Sequence, residues 1–219
     1  MLSLDEPGSA LMTNNATVQC HCRKVRGSVA QASPTTVNRV VRYCEDCQAF
    51  LHHLRRADLL DPHGGTDIIQ VAPARISFIQ GSEHIAGLRL TPKGLYRWYA
   101  SCCNTPLGNT VGPAIPFVGI VAQAFKGDNQ TPDELFGRPI GAIFGKHAVG
   151  GAPPGSTGFN LRLYARAIRK VLGWRLRGQA WPHPFFERTT RAPRFPLATL
   201  THREREALRP LCGPNPVRG

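Results

Sequence analysis

Long apolar segments and internal repeats are absent from this sequence. A membrane-spanning helix needs about 20 consecutive apolar residues, whereas the longest apolar segment, around residues 115–125, is bounded by Pro113 and Lys126. The first 15 residues carry acidic side chains where a secretion signal would carry positive charge. We therefore expect no membrane partner and a cytoplasmic location.

Acidic residues are scarce, above all in the last third of the chain. The sequence has 14 acidic and 27 basic residues, for a net charge of +13. From Ser156 onward, thirteen basic residues stand against three glutamates and no aspartate. Such a basic part can bind phosphate backbones or acidic surfaces, and it can equally be a solvated, arginine-rich helical face.

Six of the seven cysteines fall in three close pairs, which are listed here: Cys20 and Cys22, Cys44 and Cys47, Cys102 and Cys103. In a reducing compartment, clustered cysteines indicate metal ligands rather than disulfides. About four thiolates close a tetrahedral zinc shell, so we expect zinc as the cofactor. The alternative is that the cysteines are small buried apolar residues.

The three pairs differ in what they can hold. Residues i and i+2 of a strand share a face, so Cys20 and Cys22 can reach one metal. The C-x-x-C spacing of Cys44 and Cys47 suits either a metal or a redox dithiol at a helix start. The adjacent pair at 102 and 103 offers one sulfur easily and the other only with a local kink. Cys212 is expected to be a free thiol.

Runs rich in β-branched and aromatic residues predict a mainly β domain of small antiparallel sheets. The expected strands cover residues 37–43, 67–71, 75–80, 84–90 and 95–100. A short helix is expected from Cys47, and segment 113–125 is expected to be buried as either strand or helix. We divide the chain into a loose leader (1–15), a zinc-binding β domain (16–144), a Gly/Pro linker (145–158) and a basic extension (159–219).

The extension is expected to be mostly helical, with irregular parts. Asn160 can cap a helix that runs to about Leu176, and Thr201 with Glu204 forms a capping box for a last short helix. The apolar face of the first helix is expected to contain Leu161, Tyr164, Ile168, Val171 and Leu172. Aromatic residues alternate with arginines over residues 174–191, which suits either stacking on bases or packing onto the β domain.

Three motifs together resemble the family of glutathione-dependent formaldehyde-activating enzymes and centromere protein V. They are C-x-C-x-x-V-x-G at 20–27, C-x-x-C-Q at 44–48 and CNTPLGN at 103–109. The resemblance covers about residues 17–125. It implies a zinc-organised β-tent fold and a carbon–sulfur lyase that joins formaldehyde to glutathione.

The resemblance also implies two zinc sites. A structural zinc would be held by the C-x-C pair and a late C-x-x-C, whose first position here is Ala100; Cys102 would replace it beside Cys103. A second, catalytic zinc would be held by a C-x-C-x-x-C segment whose first position here is Arg42, which leaves only Cys44 and Cys47. The second site is therefore incomplete, because arginine does not ligate metal.

Other residues are candidates for completing this second site. By proximity in sequence, a further metal ligand would come from His52, His53 or His63. Arg42 and Arg97 are expected to bind the carboxylates of a glutathione-type thiol adduct, or to be surface or ion-pairing arginines. Asp67 is either a polar site residue or a turn cap.

Two functions of different class follow. The first is a zinc-binding carbon–sulfur lyase, or a degraded relative of one, acting on glutathione–formaldehyde adducts. The second is a non-catalytic, zinc-stabilised binding module that contacts nucleic acid or a protein through its basic C-terminal part. The sequence leaves the oligomeric state open.

Overall fold

A computed structural model describes residues 15–125 and 131–216 of the chain. Within them, eleven strands form two sheets, so the predicted mainly β class is confirmed. Residues 1–14 of the expected leader lie outside the described residues. None of the helices in the described ranges is long and apolar enough to cross a membrane.

The smaller sheet has three antiparallel strands in the order β1-β2-β5. They are β1 (Ala16–Gln19), β2 (Arg26–Val29) and β5 (Ile76–Gln80). Gly27 of β2 lies against β5 so closely that an added Cβ would come within 2.5 Å of the Ser77 carbonyl oxygen. The close approach of these two strands therefore requires glycine at this position.

The larger sheet has eight strands in the order β10-β3-β4-β9-β8-β7-β6-β11. Its strands are β3 (Asn38–Arg42), β4 (Thr66–Val71), β6 (Ile85–Arg89), β7 (Tyr96–Ala100), β8 (Thr105–Thr110), β9 (Val118–Val121), β10 (Ala142–Ile143) and β11 (Leu197–Thr199). The six central strands are antiparallel, whereas both outer strands pair in parallel. This sheet is larger than the small antiparallel sheets expected from the sequence.

Four α-helices accompany the sheets: α1 (Glu45–His53), α2 (Pro132–Phe136), α3 (Leu161–Leu176) and α4 (His202–Leu208). The predicted caps of α3 and α4 are confirmed, since Asn160 accepts from the Leu163 N–H and Thr201 forms a capping box with Glu204. The short helix α2 begins with a capping box at Thr131 that the sequence interpretation missed.

The main core lies between the two sheets and includes residues from the C-terminal third. Trp98 of β7 is fully buried and stacks on Phe185, with Phe186 packed edge-on against it. The packing alternative for the aromatic residues of this segment is therefore confirmed. Gly145 and Ala148 of the expected linker are also buried, and Gly145 donates its N–H to the Ser156 carbonyl. The proposed boundaries at 145 and 158 stay a prediction, because nothing tests whether these parts fold separately.

The buried face of α3 differs from the expected one. Leu163 and Trp174 are its buried residues, while Ile168 and Leu172 are 58% and 53% exposed. The helix has apolar residues on two sides, so its 3.6-residue period does not specify which side packs. Arg166 belongs to the inward side, where its guanidinium bonds to Asn38 and to the Pro34 carbonyl.

Candidate metal centre and the pocket beneath helix α1

Four cysteine sulfurs come together in one cluster. The Sγ atoms of Cys20, Cys22, Cys102 and Cys103 all lie within 4.8 Å of one another. The distance is 3.3 Å from Cys22 to Cys102 and 3.9 Å from Cys20 to Cys102. A tetrahedral zinc ion with bonds of about 2.3 Å needs sulfurs about 3.8 Å apart. The four residues therefore fit zinc in number, chemistry and spacing.

Two tight turns position these sulfurs. Cys20 directly follows β1, and its turn passes through Arg23 in the left-handed region (φ 66°) before the Val25 N–H donates to the Cys20 sulfur at 3.3 Å. Cys102 and Cys103 lie in the turn between β7 and β8, which ends at Asn104 (φ 53°). This turn supplies the local kink that adjacent cysteines need to face one point. The predicted convergence of distant cysteines is thus observed.

The cluster joins the two sheets. Cys20 and Cys22 come from the turn between strands of the three-stranded sheet, whereas Cys102 and Cys103 come from the eight-stranded sheet. The His21 N–H also donates across this gap to Thr105 Oγ1 at 2.9 Å. An ion held here would connect both sheets through the side chains of the two turns.

The free thiols of the cluster are electrostatically unequal. Burial raises the pKa of Cys20 and of Cys102. Burial also acts to raise the pKa of Cys103, but hydrogen bonds from Thr105 and Cys22 outweigh it and hold that pKa at about 6. Because thiolates are the metal-binding form, protons compete less with a cation at Cys103 than at Cys20 or Cys102.

The second cysteine pair is arranged differently. Cys44 caps the start of α1, and it forms a disulfide with Cys47. Within residues 15–125 and 131–216, the four-cysteine cluster is the one group of three or more metal-type side chains close enough to hold an ion. His63 instead bonds the Val149 carbonyl through Nδ1. The assignment of Cys44 and Cys47 as metal ligands therefore gains no support from this geometry.

Arg97 lies beside this disulfide, and it is neither a surface residue nor part of a close ion pair. Its side chain is 3% exposed, and its Nη2 lies 4.0 Å from Oδ2 of Asp46, beyond hydrogen-bond distance. The guanidinium is over the ring of Phe50, 5.5 Å from the centroid. Burial lowers the pKa of Arg97 to about 10. The Arg97 guanidinium is therefore positively charged at neutral pH, and Asp46 at 4.0 Å neutralises that charge only in part.

A small cavity of about 10 Å³ lies next to Arg97, between α1 and the sheet, and its lining is apolar apart from a few polar groups. Cys47, Thr66 and Asn109 also line it. Thr66 Oγ1, Asn109 Oδ1 and Arg97 Nη2 are all buried without a hydrogen-bond partner among the described residues. A cavity of this size holds about one water molecule. Sequence interpretation missed Thr66 and Asn109, although Asn109 ends the CNTPLGN motif.

Three arginines lie near the carboxylate of Asp46 at the start of α1, and one of them bonds it. Arg205 of α4 donates to Asp46 Oδ1 at 3.0 Å, while Arg97 approaches its other oxygen. Arg42 packs over the ring of Phe144, and burial lowers its pKa although Asp46 acts in the opposite direction. The charge of Arg42 also acts to lower the pKa of Arg97, so the two guanidinium groups lie near each other; their binding of glutathione carboxylates stays a prediction. Asp46 and Arg205 were not predicted.

The C-terminal residues cover the other side of α1. The Gly213 N–H donates to Gln48 Oε1 at 2.8 Å, and Cys212 packs with Phe50 and Leu54. Burial raises the pKa of Cys212 to about 12, so its thiol is protonated and unreactive. Asp67, a candidate polar site residue or turn cap, instead forms an ion pair with Arg39, with 2.7 Å between Oδ2 and Nη2.

Comparisons with known proteins place the chain in a family without giving it a function. No curated protein matches the chain significantly. A crystal structure of a Rhodobacter sphaeroides protein from a structural genomics programme is similar to 52% of this chain and 90% of its own, with 14% identity and a TM-score of 0.36. The model of a family of unknown function, DUF6151, matches residues 12–193. The chain therefore belongs to the DUF6151 family.

Proposed function

We propose that the protein is a zinc-stabilised binding module, in which one zinc ion is structural and the basic C-terminal part binds an acidic macromolecule. The observation that carries this proposal is the four-sulfur cluster, because a site with four protein ligands leaves no open position for chemistry. Zinc is the metal that four thiolates at tetrahedral spacing favour in a non-redox role. The ion would hold the turns after β1 and β7 together and so fix the two sheets.

Native mass spectrometry of the full chain tests the metal assignment. We expect one zinc ion per chain, and we expect the Cys20→Ser variant to lose it. Cys212→Ser is the matched control, because that thiol lies away from the cluster, and it should retain the zinc. A metal-free wild-type protein purified with zinc present, or a Cys20→Ser variant that still holds one zinc ion, would contradict the proposal.

A second candidate function is the carbon–sulfur lyase reaction on glutathione–formaldehyde adducts that the motif resemblance implies. Arg97 supports it, because this buried and incompletely paired cation lies next to Cys47, where an anionic thiol compound would bind. In this reaction the thiol sulfur bonds to the formaldehyde carbon, and the thiol proton passes to the carbonyl oxygen. Arg42 and Arg97 would bind the carboxylates of glutathione, and Cys44 and Cys47 would act as reduced thiols in a cytoplasmic protein.

The lyase candidate requires the pocket to open, because a cavity of about 10 Å³ does not admit a tripeptide. The test is adduct formation from glutathione and formaldehyde, followed by NMR, with protein reduced beforehand and supplied with zinc. The candidate predicts turnover above the uncatalysed rate that Cys47→Ala abolishes and Cys212→Ser keeps. Equal rates with and without protein would exclude it, while leaving the binding module intact.

A further inference from the structure

A groove runs along one flank of α3, between the exposed apolar residues of the helix and its inward side. It has a volume of about 1,310 Å³, and its opposite wall is formed by residues 34–37 and 136–140. The residues of α3 that line the groove run from Ala165 to Leu176, which is about 17 Å at 1.5 Å per residue. A groove of this length and volume matches an elongated ligand rather than a small molecule.

The groove is strongly basic. Seven cationic side chains and no acidic residue are among the residues that line it; the cations are Arg39, Arg75, Arg138, Arg166, Arg169, Lys170 and Arg177. Two aspartates already neutralise Arg39. Nε and Nη1 of Arg75, by contrast, are buried without a hydrogen-bond partner among the described residues. The remaining positive charge is available to an acidic ligand.

The same groove has an apolar strip. Ile168, Leu172 and Leu176 line it and are 58%, 53% and 88% exposed. Together with Leu161 and Ala165, they follow the three- and four-residue spacing of one helical face. Three large exposed side chains in one strip are typical of an interaction surface rather than of scattered surface leucines.

We propose that this groove binds an amphipathic helix of a partner protein whose apolar residues cover the α3 strip and whose flanks carry glutamate and aspartate. The inference rests on the binding-module function and names the class of its partner. Helices commonly bind grooves through apolar residues spaced three and four apart. Acidic flanks would meet the cations of the groove and set the orientation of the helix.

Two other occupants fit the groove less well. A second copy of this chain would place one cationic α3 against another, and like charges in contact oppose association. Nucleic acid would satisfy the arginines through its phosphates, but its backbone would leave Ile168, Leu172 and Leu176 uncovered. Charge and apolar surface together therefore favour an acidic helical peptide.

Fluorescence anisotropy with a labelled model peptide tests this inference. The probe is an 18-residue helix with leucines at heptad positions a and d and glutamates on both flanks. We expect saturable binding that weakens at least tenfold in the Leu172→Glu variant and at least threefold in Arg169→Glu. The matched control is Ile79→Glu, which places the same charge on β5 at a residue that is 70% exposed. It should bind as wild type.

Two further probes distinguish failure of the helix-binding inference from failure of the binding-module function. A peptide of the same composition in scrambled order, and a single-stranded DNA, are measured under the same salt conditions. Equal binding of the scrambled peptide, or loss of affinity in Ile79→Glu as large as in Leu172→Glu, would overturn the helix-binding inference. DNA binding without peptide binding would also overturn it and leave the binding module standing. If none of the three probes binds, the binding part of the proposed function fails as well.

Discussion

The indole ring of Trp98 stacks on the phenyl ring of Phe185, with ring centroids 4.6 Å apart and planes 1° from parallel. Trp98 belongs to β7, the third strand from one edge of the large sheet, whereas Phe185 follows α3 in the basic part of the chain. Both side chains are buried. The C-terminal third therefore supplies core residues to the β structure, and its basic composition does not make it a solvated appendage.

Replacing Phe185 by alanine should destabilise the whole protein. Truncating a buried phenylalanine removes its apolar contacts and leaves a cavity, which typically costs about 3–5 kcal/mol. Urea denaturation, followed by tryptophan fluorescence, would measure the change in the free energy of unfolding. Phe159→Ala is the control, because Phe159 is 76% exposed and its loss should change stability by less than about 0.5 kcal/mol. Similar effects of the two substitutions would contradict the shared core.

Removing the metal should lower the melting temperature of the protein and loosen the two sheets relative to each other. The cluster links turns of different sheets through the ion. Once the ion is removed, the turns lose this link and four unbound thiols remain side by side. Calorimetry before and after treatment with a strong chelator would measure the shift, and added zinc should reverse it. An unchanged melting temperature after complete removal of zinc would refute a structural role.

Asp46 should be more important for stability than its exposed position suggests. It is the acidic side chain that approaches both Arg97 and Arg205. Removing the partner of a buried charge lowers the free energy of unfolding strongly, but Asp46 is 38% exposed, so solvent reduces the effect. We therefore expect Asp46→Ala to lower the free energy of unfolding by about 2 kcal/mol. Adding Arg97→Met should recover part of that loss, because it removes the buried cation. A double-mutant cycle by urea denaturation would detect this coupling, and strict additivity would argue against it.

His183 should make the protein sensitive to mild acid. Its ring is buried among aromatic residues, and burial lowers its pKa to about 4 from an ordinary 6.5. Since the folded state disfavours the charged ring, the stabilising contribution is complete above pH 6.5 and is lost as the pH falls toward 4. The difference in the pKa of His183 between the unfolded and folded states lowers the free energy of unfolding by about 3 kcal/mol between pH 6.5 and 4.

Stability measured against pH in wild type and in His183→Asn would check this. Asparagine retains an acceptor for the Phe185 N–H, which donates to His183 Nδ1 at 3.1 Å, but it does not titrate. The variant should therefore show a flatter stability curve between pH 6.5 and 4. Parallel curves for the two proteins would assign the acid sensitivity to other groups.

Five of the eleven strands, β3 to β7, and the four-cysteine cluster could be predicted because their signals are local. Alternating β-branched residues specify strands, and cysteines with short spacing specify ligands wherever the chain brings them together. The cavity beneath α1 had no such signal, since Thr66 and Asn109 do not differ in pattern from other polar residues in strands. Its formation depends on the order of strands in the sheet, which places β4 and β8 on either side of β9.

The buried face of α3 could not be predicted because it depends on long-range contacts. Both sides of the helix contain apolar residues, and the inward side also contains Arg166. That arginine is accommodated only because Asn38 and the Pro34 carbonyl accept its hydrogen bonds. No pattern within the helix reveals partners so distant in sequence. The outward strip of Ile168 and Leu172 is the consequence that matters for binding.

The parallel pairing of β11 with β6 bears on how the protein is made. Strand β6 ends at Arg89, yet among the described residues its outer edge pairs with residues 197–199, which are synthesised much later. An open strand edge is a template for association with other chains. During translation the nascent chain therefore exposes an unpaired strand edge that can associate with other chains. Prematurely terminated products of this gene should consequently aggregate rather than accumulate as shorter folded proteins.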